Sequence, residues 1–190
     1  MGRPKNFSRE EVLDKALPLF WKRGFADTGL QDLEKATGVN KSGLYAEFRN
    51  KDDLFLETLK HYNQTRKTRE ILSEEPPGWH NIERFLKIRL LAKESKDKPK
   101  GCFAVNSMRE FELLPAEAQK IVTESRANLK RLLHRNIAAE KTTTSADTLT
   151  EILSTFFSGL CIEHNLNNNS KSAKTPLQKI EDFMGFLRSQ

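Results

Sequence analysis

Lys41, Ser42, Gly43 and Tyr45 bring together a cation, a hydroxyl, a position without side-chain bulk and a ring with a hydroxyl tip. Asn40, just before them, is a good helix cap, because its side-chain oxygen can accept from a free N–H of the first turn. Leu44 and Phe48, at i and i+4, then give the helix one buried stripe and leave the other four facing outward. Such a face suits a helix entering the major groove of duplex DNA, where its first residues reach base edges and neighbouring groups hold phosphates. A solvated face on an ordinary helical hairpin has the same spacing, so the pattern by itself leaves both readings open.

Catalytic or metal chemistry would require convergence among His61, His80, His134, His164, Cys102 and Cys161. None stands at a zinc spacing, in a phosphate-cradling glycine loop or in a nucleophile elbow. An enzyme built on Cys102 would lack a base at any recognised spacing. His164, one helical turn from Cys161 and Leu160, reads as a core or interface histidine. The sequence therefore predicts no catalytic residue, no metal and no cofactor.

The elements that must position the Lys41–Tyr45 face run from Thr28 to Lys51, TGLQDLEKATGVNKSGLYAEFRNK. Thr28 is expected to cap a first short helix through its hydroxyl, with Leu30, Leu33 and Ala36 or Thr37 on its inner side. Gly38 ends that helix, since glycine takes a left-handed backbone at no Cβ penalty, and Val39 plugs the turn. Two short helices separated by a glycine, then a basic restart at Lys51, read as a helix-turn-helix.

The run GVNKSGLYAEFRNKDDLF, preceded by a basic arm and an amphipathic helix, resembles the DNA-binding domain of the TetR family of bacterial repressors. Gly38-Val39, Ser42-Gly43, Leu44-Tyr45, Phe48 and Lys51 carry the resemblance. It implies that Tyr45 and Lys51 grip phosphates, that Lys41, Ser42 and Gly43 lie nearest the bases, and that Thr28 touches the DNA backbone. Arg3 and Lys5, around Pro4, would form an arm ordering along a groove. Glu34 and Thr37 depart from the family's small residues, which makes a close crossing of the two short helices less secure than the turn.

Composition agrees with a charged, helical, water-borne chain: 190 residues, 31% charged and 37% hydrophobic, net charge +6. Residues 1–51 hold 10 Lys and Arg against 7 Asp and Glu, a denser positive charge than in the remainder and a modest lean toward an acidic partner. No apolar run approaches the roughly 20 residues that span a bilayer, and the N-terminus lacks a signal-peptide core. A cytoplasmic location with two reduced cysteines is expected.

Along the chain, Ser8 and Glu11 form a capping box for a first helix with Val12, Leu13, Ala16, Leu17, Phe20 and Trp21 inward, a bend near Pro18 and an end at Gly24. A fourth helix opens with Asp52 and Asp53 and is expected to continue to about Leu72, before a stop at Pro76-Pro77-Gly78. A fifth covers Trp79 to Ala92, and the Lys-rich stretch Glu94 to Lys100 follows. Gly101-Cys102-Phe103-Ala104-Val105-Asn106 resembles the start of helix 6 in one branch of the same family. Pro115 should open a long helix lasting to about Glu140. Further helices cover Ala146 to His164 and, after the Asn-rich stretch Asn165 to Lys174, a segment capped by Thr175 with Pro176 at its first position.

The predicted fold is all-α, about nine helices: a helix-turn-helix DNA-binding domain of residues 1–51, joined through helix 4 to a helical ligand-binding and dimerisation domain of residues 52–190. By resemblance, the ligand cavity would draw on Phe85, Arg89, Cys102, Phe103, Asn106, Phe111, Phe157 and Cys161. A two-fold interface would use Ile152, Phe156, Gly159, Leu177, Ile180, Met184 and Leu187. Cys102 would be either packing or a sensor thiol, the latter favoured by a helix N-terminus and by Lys98 and Lys100. The function implied is a homodimeric repressor of palindromic double-stranded operator DNA, released by a small-molecule or electrophile inducer, with no membrane partner. A helical protein-interaction adaptor without specific DNA binding is the alternative.

Overall fold

The computed structural model describes residues 7–65, 67–91, 101–163 and 175–190, and every regular element among them is helical. The α-helices are α1 (Arg9–Arg23), α2 (Leu30–Thr37), α3 (Lys41–Glu47), α4 (Lys51–Thr65), α5 (Trp79–Leu91), α6 (Phe103–Ser107), α7 (Ala116–Ile137), α8 (Ala146–Glu163) and α9 (Pro176–Arg188). Two 3-10 segments, Lys67–Ser73 and Met108–Leu113, complete them. Contacts group the described residues into two compact units, one within Met1–Thr65 and Asn106–Thr123, the other within Arg66–Val105 and Glu124–Gln190.

In the first unit, α1 begins as its sequence requires. Ser8 Oγ accepts from the Glu11 N–H (3.1 Å) while the Glu11 carboxylate accepts from the Ser8 N–H (2.7 Å), so two otherwise free donors are satisfied reciprocally. The helix runs unbroken through Pro18, because Val12, Leu13, Ala16, Phe20 and Trp21 bury one continuous stripe against α2 and α4. Phe20 meets Phe55 edge-on at 5.1 Å, and Trp21 meets Tyr62 at 5.1 Å. Each such buried ring contributes roughly 1.5–3 kcal/mol through apolar burial, enough to make the α1–α4 contact the base on which the shorter α2 and α3 stand. Helix α4 stops at Thr65 and gives way to the 3-10 segment, where the sequence suggested an α-helix to Leu72. The polar run after Tyr62 offers no apolar stripe to hold further α-helical turns.

The second unit is organised by α5. Ile82, Phe85, Leu86 and Leu90 are buried, and α9 and α8 pack on this helix. Asn136 and Asn81, both fully buried, fasten the Pro76-Pro77-Gly78 stretch: Asn136 Oδ1 accepts from the Gly78 N–H (3.0 Å) and from Asn81 Nδ2 (3.1 Å), and Asn136 Nδ2 donates to the Leu72 carbonyl (2.7 Å). That stretch, expected from sequence as a stop, is thereby tied to α7. Pro115 stands one residue before α7 and accepts from the Gln119 N–H through its carbonyl, and the helix ends at Ile137, short of Glu140. Thr175 and Gln178 form a capping box with Pro176 in the first turn of α9, as expected.

Candidate nucleic-acid interface

The turn between α2 and α3 is built by short-range hydrogen bonds. Gly38 adopts φ 74°, ψ 11°, and its N–H donates to the Glu34 carbonyl (2.8 Å). Thr37, not Ala36, is the inward residue: its hydroxyl donates to the Leu33 carbonyl (2.7 Å) and accepts from the Val39 N–H (3.2 Å). Lys15, from α1, donates to the Thr37 carbonyl at the end of α2 (3.2 Å). Thr37 and Glu34, which depart from the family's small residues, therefore secure the turn. The Glu34 carboxylate accepts from the Lys41 N–H, where negative charge is favoured by the α3 dipole. Asn40 is the cap the sequence suggested, its Oδ1 accepting from the Gly43 N–H and the Ser42 hydroxyl, both at 2.9 Å.

Leu44 and Phe48 are the only buried anchors of the stripe, each 1% exposed. The Arg9 guanidinium lies 4.3 Å from the Phe48 ring centroid. On the other side Lys41, Ser42 and Tyr45 are exposed on one contiguous face, with the Lys41 ammonium 5.9 Å from the Tyr45 ring. Gly43 is half-buried between these faces, and a Cβ there would meet Val39 Cγ1 at 2.7 Å. The four residues singled out by type and spacing are thus brought together, three outward and one as the point of close approach.

Thr28 departs from expectation. Gly29 is the cap residue of α2, and Thr28 is fully buried, its hydroxyl donating to the Gly24 carbonyl (2.6 Å). Asp32 takes the capping role, accepting from the Gly29 N–H at 3.1 Å. That bond, followed by the Arg23 guanidinium, holds its carboxyl below the ordinary aspartate range. A hydroxyl bonded inward with no exposed surface fixes the backbone turn but presents nothing to a phosphate. Lys51 is half-buried: its ammonium donates to the Phe25 carbonyl (3.0 Å) and sits 4.3 Å from the Phe25 ring, joining the start of α4 to the α1–α2 turn. Arg3 and Lys5 lie outside the described residues. Arg49, whose side chain is 82% exposed and paired with Asp53, adds a cation the motif reading passed over, although it stands in the same basic restart as Lys51.

The residues expected to line a ligand cavity divide between the two units. Phe85, Arg89, Cys102, Phe103, Phe157 and Cys161 lie in the second, all buried. There Phe85 and Phe157 stand 5.3 Å apart, Arg89 donates to Cys102 Sγ (3.4 Å), and burial pushes the Cys161 thiol well up, with Cys102 adding to the effect and Arg89 opposing it. Asn106 and Phe111 lie in the first unit, where Asn106 Nδ2 donates to the Trp21 carbonyl (3.5 Å). Cys102 precedes a helix of only five residues and is itself buried, while Lys98, Lys100 and His164 lie outside the described residues. Among the described residues no group of three His, Cys, Asp or Glu could hold a metal ion, and no helix is long and apolar enough to cross a membrane.

The set expected at a two-fold interface splits by face. Ile180, Met184 and Leu187 point into the protomer's own core and are essentially unexposed, because α5 of the same chain packs on α9. Ile152, Gly159 and Leu177 are exposed and Phe156 is half-exposed. Beside them stand three residues the sequence reading missed: Phe183, stacked on Phe156 with centroids 3.7 Å apart, Phe186 and Ile162. The apolar pair Phe183 and Phe186 on α9, one residue before Met184 and Leu187, was the available signal there.

Residues 12–58 match the family model described as "Bacterial regulatory proteins, tetR family". The HTH-type transcriptional repressor ComR of Escherichia coli (strain K12) is 38% identical over 109 residues, 56% of this chain and 52% of ComR. The chain thus spans about half the length of that relative. The HTH-type transcriptional repressor BdcR of the same organism is 25% identical over 161 residues, 84% of this chain and 80% of BdcR. Among solved structures, a cysteine mutant of the TetR family transcriptional regulator CifR, complexed with 26 bp double-strand operator DNA, superposes with TM-score 0.78 at 24% identity, covering 96% of this chain and 98% of that one.

Proposed function

We propose that the chain, whose residues 12–58 match the tetR family of bacterial regulatory proteins, is a sequence-specific DNA-binding transcriptional regulator, a homodimeric cytoplasmic repressor that an inducer releases from a palindromic operator. The observation that carries the reading is the outer face of α3, where Lys41, Ser42 and Tyr45 stand exposed on a helix whose start is capped from two sides. ComR and BdcR are named repressors, and CifR was solved on operator DNA, which supports the same reading here. A protein-interaction adaptor would have no need for a cationic, hydroxyl-bearing face on a helix of seven residues. The inducer is read as a small apolar or electrophilic molecule held in the second unit near Phe85, Phe103 and Phe157, with Arg89 as the polar contact and Cys102, buried beside it, as the thiol that an electrophile entering the site would meet.

Binding to a palindromic duplex recovered from genomic fragments tests the reading. Affinity should fall steeply as salt rises, because each phosphate contact releases counterions. Retention of no duplex above background at low salt would refute it. Within that experiment Lys51 and Lys41 should behave differently. Lys51→Ala should weaken binding to all sequences alike and lower the salt slope by roughly one unit. Lys41→Ala should also relax preference at one base position, and equal loss on every sequence would show that Lys41 only positions.

A further inference from the structure

We infer that Glu110 is a positioning residue for the DNA-reading surface, its carboxylate clasping the turn between α1 and α2 from 84 residues away in sequence. Glu110 Oε2 accepts from the Ala26 N–H at 2.8 Å. Its other oxygen occupies the space over Gly24, where a Cβ would lie 1.6 Å from Oε1 and 2.6 Å from Cδ. Gly24, at φ +90°, is therefore required twice, for its backbone conformation and for the carboxylate it admits. The clasp has a second point: Asn106 Nδ2 donates to the Trp21 carbonyl in the last turn of α1. Glu110 itself leaves helical geometry (φ −117°, ψ 24°) inside the 3-10 segment, the local departure that aims its side chain at the turn.

What the clasp holds is the start of the reading elements. The Gly24 carbonyl accepts the buried Thr28 hydroxyl (2.6 Å), and the Phe25 carbonyl accepts the Lys51 ammonium (3.0 Å). Gly29 then opens α2 under the Asp32 cap, and α2 supplies Glu34 to the first turn of α3. These links are few, so a turn released at Ala26 can drift and carry Lys41, Ser42 and Tyr45 off the geometry that a groove requires.

A carboxylate near a phosphate-binding surface should, by charge alone, weaken DNA binding, so the two roles predict opposite signs. The inference rests on the DNA-binding reading only for its affinity arm. In the full chain, on duplex enriched by the wild-type protein, Glu110→Ala should weaken binding about tenfold with the salt slope unchanged, whereas Glu110→Gln, which keeps an acceptor for Ala26, should stay within about threefold of wild type. Without DNA, hydrogen exchange at the Ala26 amide should accelerate in Glu110→Ala and much less in Glu110→Gln. Tighter binding by the same factor in both variants, or unaltered Ala26 exchange in Glu110→Ala, overturns the clasp. Should wild type enrich no duplex, the functional reading falls while amide exchange still decides the clasp.

Discussion

Phe186→Glu is expected to give a monomeric protein that has lost at least about thirtyfold in operator affinity. Phe186 is 49% exposed within one chain, on the apolar face that runs through Phe183 and Phe156. Enclosing such a face between two copies gains roughly 25 cal/mol for each Å² of apolar surface removed from water. A carboxylate at its centre must instead be desolvated without a partner, at a cost of several kcal/mol, or hold the copies apart. Two reading helices reach successive major grooves, roughly 34–36 Å apart, only when they belong to one dimer, so affinity falls with the interface. Met184→Glu would be the wrong probe, because Met184 is 1% exposed and a charge there would unfold the protomer. Light scattering and operator titration on Phe186→Glu decide: a dimer with unchanged affinity would place the interface elsewhere.

The sequence was most informative where one residue type is almost the sole answer to a local backbone demand. Ser8 with Glu11, Gly24, Gly38, Asn40 and Thr175 with Pro176 all stand at the ends or caps foreseen for them, because capping and left-handed geometry are settled within four residues of chain. The outer face of α3 was legible for a related reason: with Leu44 and Phe48 turned inward, helical period leaves no other direction for Lys41 and Tyr45. Thr28 was misread since two consecutive residues could each have capped α2. Only the fold, which places the Gly24 carbonyl 2.6 Å from its hydroxyl, selects the inward role.

Tertiary relations were harder to read. Glu110 and Asn106 contact the end of α1 across more than eighty residues, and nothing in a half-exposed glutamate within a short segment announces that. The apolar stripe of α9 was expected at a two-fold interface, but periodicity does not say whether α5 of the same chain or a second copy covers such a stripe. Ile180, Met184 and Leu187 face inward, while Phe186 is exposed and Phe183 half-exposed. Helix α4 ends earlier than expected: the run after Tyr62 has helix-compatible residues, but the last residue that α4 buries is Tyr62.

Phe48→Ala should abolish operator binding while leaving the protein dimeric, the reverse dissociation of effects from Phe186→Glu. Helix α3 has seven residues, far fewer than the roughly 12–15 at which an isolated helix becomes even marginal in water, so its persistence depends on what it buries. That burial is Leu44 and Phe48, and the Phe48 ring also lies under the Arg9 guanidinium. Removing a fully buried phenyl ring costs about 3–5 kcal/mol, the spread reflecting how far the site can collapse. The loss exceeds what either the Asn40 or the Glu34 cap contributes, about 0.5–2 kcal/mol, so neither cap alone keeps α3 seated. Hydrogen exchange should therefore rise first at Leu44 and Phe48, whose N–H groups donate to the Asn40 and Leu44 carbonyls at 2.9 Å, while amides of α5, α8 and α9 keep their protection. If Phe48→Ala bound operator within a few-fold of wild type, the short helix would be held by its caps, and the stripe inferred from i, i+4 spacing would not be what presents Lys41 and Tyr45 to DNA.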